Sequence, residues 1–228
     1  MLGTLVNTAA ILIGGGVGLL LKKGLNQRLS DAVMTGLALI CLYIGVDGAL
    51  KGQNALIATL SMVIGGVAGT LLNLDGGVNR LSRWLEARLV KEKAANSQFS
   101  EGFISATLLF CVGAMAIVGA LNSGLKGDHS LLYTKSLLDG VSAAVFASAF
   151  GAGVLLSAPC VLVYQGAIAL LASLVAPLLP AAAVADMTCV GSLLIAAIGL
   201  NMLKLTKIKI MDYMPAIFLP LLFHLFIA

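Results

Sequence analysis

Apolar stretches of about one bilayer thickness alternate with short polar or basic connections along almost the whole chain. The runs are Gly3–Leu21, Ala32–Leu50, Ala55–Leu72, Gly102–Leu121, Ser136–Leu156, Cys160–Leu179, Thr188–Leu203 and Tyr213–Ile227. A hydrocarbon core of about 30 Å takes roughly 20 residues of helix, so the pattern predicts eight transmembrane helices, the last two short. The runs lack the two-residue alternation that a membrane barrel requires. Of the 228 residues, 60% are hydrophobic and 11% charged, against about 25% charged in a soluble domain; the mean hydropathy is +1.05. The fold class expected is therefore an all-α polytopic membrane protein. One transmembrane domain fills residues 1–228, and the lipid bilayer is its first partner. Disorder and a basic nucleic-acid binder are excluded by the same composition.

The net charge of +4 matters through its placement. Connections on one side hold Lys22, Lys23 and Arg28, then Arg80, Arg83, Arg88, Lys91 and Lys93, then Lys204, Lys207 and Lys209; the other side holds only Lys51, Lys126 and Lys135. Eleven against three is the asymmetry of a positive-inside topology, and it puts both termini outside the cytoplasm. The count depends on separating the fifth and sixth runs at Ser157–Pro159. Gly3–Leu21 is too long for a cleavable leader and reads as a span. Within the longest connection, Val78, Leu81, Trp84, Leu85 and Leu89 recur at helical spacing among basic residues. That predicts an amphipathic helix over Val78–Val90 on the cytoplasmic surface, with Trp84 toward lipid.

Internal similarity is visible twice. Ile13-Gly14-Gly15 with Gly18 matches Ile64-Gly65-Gly66 with Gly69. More weakly, Leu5-Val6 with Ala10-Ile11 resembles Leu162-Val163 with Ala167-Ile168, and Ile44-Gly45-Val46-Asp47 resembles Ile198-Gly199-Leu200-Asn201. The second match joins copies of opposite orientation, the inverted-repeat plan of many secondary transporters. Gly14/Gly18 and Gly65/Gly69 have the spacing through which helices pack closely in lipid.

Polar residues inside the runs carry the candidate chemistry. Lys135 and Asp139 are four apart on one helical face, beside a stripe of small residues (Ser136, Gly140, Ala144, Ala147, Gly151). Charge in hydrocarbon needs a partner or water, so the pair is expected to face the bundle interior, with Asn7 and Gln165 contributing. Asn201 and Asp128 complete the candidate substrate-binding set; Asp47 and Asp186 fall near outer helix ends, and His224 reads as an ordinary interfacial histidine. The four cysteines lie in apolar runs with no C-x-x-C pair, so no metal site or cofactor is expected. No H-E-x-x-H or G-x-S-x-G motif is present and the carboxylates are scattered, so no catalytic residues and no enzyme are expected.

The run Asn122-x-Gly124-x-x-Gly127-Asp128-x-Ser130, followed by Lys135-Ser136-x-x-Asp139, together with Gly3-x-x-x-Asn7 and Met214-Pro215-Ala216, resembles the YqgA-like family. That family groups bacterial inner-membrane proteins as a domain of unknown function. The resemblance covers essentially the full chain and implies a multi-pass protein of the bacterial cytoplasmic membrane, with no substrate to carry over. A transporter or channel for a small solute or ion is the reading expected; a non-transporting membrane scaffold or regulatory component is the alternative. Either leaves a homo-oligomer open, and no nucleic acid is involved.

Overall fold

The computed structural model describes residues 1–22, 27–89 and 97–226. Among them there is no strand; the helices are α1 (Leu2–Lys22), α2 (Gln27–Ala49), α3 (Ala55–Leu71), α4 (Leu74–Leu89), α5 (Ser97–Cys111), α6 (Ala114–Leu125), α7 (Ser130–Phe150), α8 (Ser157–Leu170), α9 (Ala172–Val175), α10 (Ala181–Met202) and α11 (Leu219–Phe226). Three 3₁₀ segments, Ala152–Leu156, Ala176–Leu178 and Ile210–Ile217, join or extend them. The burial pattern is that of a protein in lipid: Ile13, Leu20, Leu71, Leu137 and Val163 are exposed, while Thr4, Asn7, Ser61, Gln165 and Asp186 are fully buried.

Three pairings organise the bundle. α1 and α7 run parallel, Gly3 lying on Leu132, Gly14 on Gly140 and Gly18 on Ala144. α2 and α10 run antiparallel, with Gly45 on Ala196, Gly48 on Ser192 and Gly199 on Ala38 and Leu42. α3 packs antiparallel on the 3₁₀ segment Ile210–Ile217, Gly65 against Ala216 and Gly69 against Asp212. Both glycine pairs singled out by spacing are thus internal packing surfaces, and the small-residue stripe of α7 is the bed for α1. Without a hydrophobic drive between helices in lipid, such backbone approach supplies dispersion contacts instead.

A methyl group on Gly14 would overlap the Gly140 carbonyl oxygen. Gly14→Val is therefore expected to pry α1 from α7 and cost about 1–3 kcal/mol or more as an overpacked contact, read as a lowered melting temperature in detergent. Gly16→Val, where a Cβ meets open space, is the control and should leave it nearly unchanged.

Several boundaries differ from the hydropathy reading. Among the described residues four helical stretches are long and apolar enough to cross a membrane, Leu2–Lys22, Asp31–Ala49, Ala152–Leu170 and Ala181–Met202, or up to six if each of two bent pairs counts as one span. The run Gly102–Leu121 is one of those pairs: it is broken between α5 and α6 by a bend of 56°. Gly113 sits at the break with φ 119°, a conformation other residues rarely adopt. The division between the fifth and sixth runs falls at Gly151 (φ 87°), not at Ser157–Pro159, which form the first turn of α8. Proline is tolerated there because the first amides of a helix have no internal acceptor. α10 begins at Ala181 rather than Thr188, so Asp186 lies inside the helix. The last run is a 3₁₀ segment containing Pro215 followed by a short helix.

The surface segment is helical from Leu74, four residues earlier than expected, and is bent by 60° from α3. Val78 packs against the core, whereas Leu81 and Trp84 are half exposed. Lys23, Val90, Lys91, Lys93 and Ile227, which entered the sequence reading, lie outside the described residues.

Candidate functional site

Tertiary packing turns the i, i+4 pair of α7 into a buried cluster. Serine, glycine and alanine along α7 admit α1 so closely that Asn7 reaches across the contact. Lys135 Nζ donates to both carboxylate oxygens of Asp139 at 2.8 Å. Asn7 Nδ2 donates to Asp139 Oδ2 at 2.9 Å and to Gln165 Oε1 of α8 at 3.2 Å. Asn7 and Gln165 are fully buried and the two charged residues are almost so. Four of the six residues proposed from sequence, contributed by three helices, therefore form one hydrogen-bonded unit.

The carboxylate also fixes the amides. An Asn7 carbonyl turned toward Asp139 would set two acceptors against each other, so Nδ2 faces the acid and Oδ1 points away. Asn7 Oδ1, Gln165 Nε2 and Thr4 Oγ1, one turn along α1, are buried without a hydrogen-bond partner. Such groups cost of order 1–3 kcal/mol each when left dry, so the cluster is unsaturated as it stands.

A cavity of about 180 Å³ is lined by Thr107, Cys111, Gly113, Tyr164, Met187 and Phe218, among others, and by no residue of the cluster. It touches two irregular points of the chain: the α5–α6 break at Gly113 and the passage from 3₁₀ to α-helix at Phe218. Cys111, on its wall, lies within the electrostatic reach of both Lys135 and Asp139. A larger cavity, about 810 Å³, opens at the opposite, lysine-rich end, beside Lys204, Lys207, Lys209, Asp75, Asn79 and Glu101. It is remote from the cluster.

Asn201 and Asp128 do not join the cluster. Asn201 borders the larger cavity, where its carbonyl accepts from Ile208 N and Thr206 Oγ1 and its amide donates to Ile208 O. It ties down the loop that carries the lysines, including Lys204 at φ 60°. Asp128 is exposed at the start of α7 and accepts from Ser130 N and Ser130 Oγ. The Ser130 backbone N–H, then its hydroxyl, hold the Asp128 carboxyl below the usual carboxylate range.

Two acids are buried that the sequence reading either placed near an outer helix end, Asp186, or did not single out, Asp212. Asp186, fully buried in α10, pairs with His224 at 2.9 Å and accepts from the backbone N–H groups of Gln53 and Asn54. His224 is thus no ordinary interfacial histidine. Asp212 Oδ1 accepts from Asp75 N at the start of α4. The only cue to the first was an acid and a histidine in apolar runs far apart in sequence. Among the described residues no group of three or more His, Cys, Asp or Glu side chains is placed to hold a metal ion.

The comparisons with other proteins agree with the sequence resemblance. This chain is 30% identical over 224 residues to "Uncharacterized membrane protein YdfK" of Bacillus subtilis (strain 168), covering 96% of this chain and 94% of that protein. It is 31% identical over 221 residues to "Uncharacterized protein YqgA" of Escherichia coli (strain K12), with the same coverage of both chains. No solved structure matches. With residues 2–225 matching the family described as "Protein of unknown function (DUF554)", the chain, an all-helical protein with spans apolar enough for a membrane, belongs to that family.

Proposed function

We propose that this protein is a transporter or channel for a small solute or ion in the bacterial cytoplasmic membrane, with no catalytic role and no cofactor. The observation that carries the reading is the unsaturated Lys135–Asp139–Asn7–Gln165 cluster, held by three helices inside a bundle that also has a broken helix with a cavity at the break. Polar groups inside a membrane bundle are costly and mark pathways or binding points, and interrupted helices are tolerated there where they line a cavity.

We read the chain as crossing eight times, α5–α6 and the segment 210–226 each counting as one bent pass. Support comes from the direction of packing: each successive long element reverses the last, and Met1, His129 and Asp186 gather at the end opposite Lys22, Asp212 and the 204–209 lysines. The lysine-rich end is then cytoplasmic, both termini are outside, and α4 lies along the inner surface. The inverted repeat draws support from α2 and α10. Exchanging Gly45 with Gly199 and Leu42 with Ala196 turns the Gly45–Ala196 contact into the Gly199–Leu42 contact, as a two-fold axis in the membrane plane requires. A scaffold is the second reading, favoured by the backbone-to-backbone fit of α1 on α7, which leaves the cluster's helices little room to slide.

Reporter fusions to the C-terminus are expected to signal from the outer side; a cytoplasmic signal overturns the eight-pass topology. Function is tested by solute and ion flux into proteoliposomes holding the purified protein. Flux that Asp139→Asn abolishes supports transport, and no flux for any solute class favours the scaffold.

A further inference from the structure

We propose that the cavity of about 810 Å³ at the lysine-rich end is a binding site for an organic phosphate, whose phosphate group is held by Lys204 and Lys207. The site is separate from the Lys135–Asp139 cluster, and the proposal does not rest on the transporter reading.

Size and lining point to a small organic molecule. Such sites are about 300–1,000 Å³, largely apolar, with a few polar groups that fix the ligand's orientation. Here the buried side chains of Ile104, Phe150, Ile198 and Ile210 form the inner wall, while Lys204 and Lys207 stand exposed at the rim. A ligand with an apolar body and a charged end covers both surfaces. A bare ion would leave the inner wall open.

Basic residues at one end of a bundle are ordinarily explained by topology alone. Three features go beyond that. The loop is pinned, because Asn201 holds Thr206 and Ile208 through three hydrogen bonds. Lys204 is fixed in it at φ 60°, a conformation that costs a non-glycine residue free energy. Second, two of the ammonium groups are uncommitted. Asp75 accepts from Asn79 and lies within the electrostatic reach of Lys209, whereas Lys204 and Lys207 form no ion pair with a described residue. Third, Ser105 on the cavity wall is only 5% exposed, and its hydroxyl has no hydrogen-bond partner among the described residues.

Two free ammonium groups and a free hydroxyl match a phosphate monoester, which carries about −1.5 to −2 charges at pH 7 and three acceptor oxygens. A carboxylate would use half of that, and a cation would meet the lysines. Glu101, exposed on the α5 wall, repels any anion that enters, which gives the arrangement a signature. Two sources offer this chemistry: a soluble phosphate monoester, and the headgroup of an anionic phospholipid, which basic pockets between helices at the cytoplasmic face also take.

The test is thermal unfolding of the purified full chain in an uncharged detergent. AMP is the soluble probe and phosphatidylglycerol in mixed micelles the lipid probe, with NaCl at matched ionic strength and phosphatidylcholine as controls. At least one probe is expected to raise the melting temperature saturably, by about 5 °C. A response to AMP alone assigns a soluble ligand; a response to phosphatidylglycerol alone assigns a lipid. Lys207→Gln should weaken the apparent affinity by about tenfold, and Glu101→Gln should strengthen it. Lys126→Gln, the same loss of charge at an exposed lysine that does not line the cavity, should leave it unchanged. Lys204→Gly, which suits the positive φ, should lose the response while the ligand-free melting temperature stays nearly the same. No response to either probe beyond its control overturns the proposal, as does a response that both lysine variants leave intact. Weaker binding in Glu101→Gln would show the acid holding the ligand and overturns the anion assignment.

Discussion

Asp139→Ala is expected to destabilise the protein by about 3–5 kcal/mol, because it strands the Lys135 ammonium in the interior and removes the acceptor that orients Asn7. The measurement is thermal or denaturant unfolding in detergent, read beside flux. Stability and activity part company in the double variant Lys135→Met/Asp139→Leu. Replacing both members of a buried ion pair with apolar side chains of similar size is often neutral or stabilising, so this variant should regain most of the lost stability. Under the transporter reading it should nevertheless remain inactive, having lost the carboxylate. Recovery of stability together with activity would show that the pair is only a strut.

Asp186→Ala is expected to have the second large effect. One buried carboxylate holds the amides of Gln53 and Asn54, which lead into α3, and the ring of His224 in α11. Removing it leaves two part-buried backbone donors and a part-buried histidine without their acceptor, at about 1–3 kcal/mol for each of these groups that water does not reach. The melting temperature should fall sharply, with the loss centred where the start of α3 and α11 meet α10. Amide exchange at Gln53 and Asn54 should speed up. Asp186→Asn, which keeps one carbonyl oxygen for those amides, should recover part of the loss. Equal melting temperatures for Asp186→Ala and the parent would show that the network adds nothing to stability.

The cluster was half legible in sequence. Lys135 and Asp139 advertise themselves because four residues make one turn, so their pairing follows from helix geometry alone. Asn7 and Gln165 stand out only as polar residues in apolar runs. That both reach Asp139 depends on α1 lying parallel to α7 at glycine contact distance. Asn201 has the same sequence signature, an amide near the end of an apolar run, yet ties a loop at the opposite end of the bundle. Local pattern does not distinguish an amide that bonds another helix from one that bonds its own following turn.

By itself the sequence determined the solvent and the secondary structure. Run length against bilayer thickness, the scarcity of charge and the clustering of lysine and arginine are one-dimensional quantities, and a helix satisfies its backbone within the run. Where helices end and which meet is decided in three dimensions. Apolarity is nearly constant across Gly102–Leu121, and the break at Gly113 leaves no mark in hydropathy. Asp186 and His224 pair because α10 and α11 converge, and Gly14 finds Gly140 because the two backbones fit. In lipid, side-chain hydrophobicity exerts little preference between partners, so the choice rests on shape and on the few hydrogen bonds that cross between helices. Those are properties of pairs of surfaces, which exist only once the chain has folded.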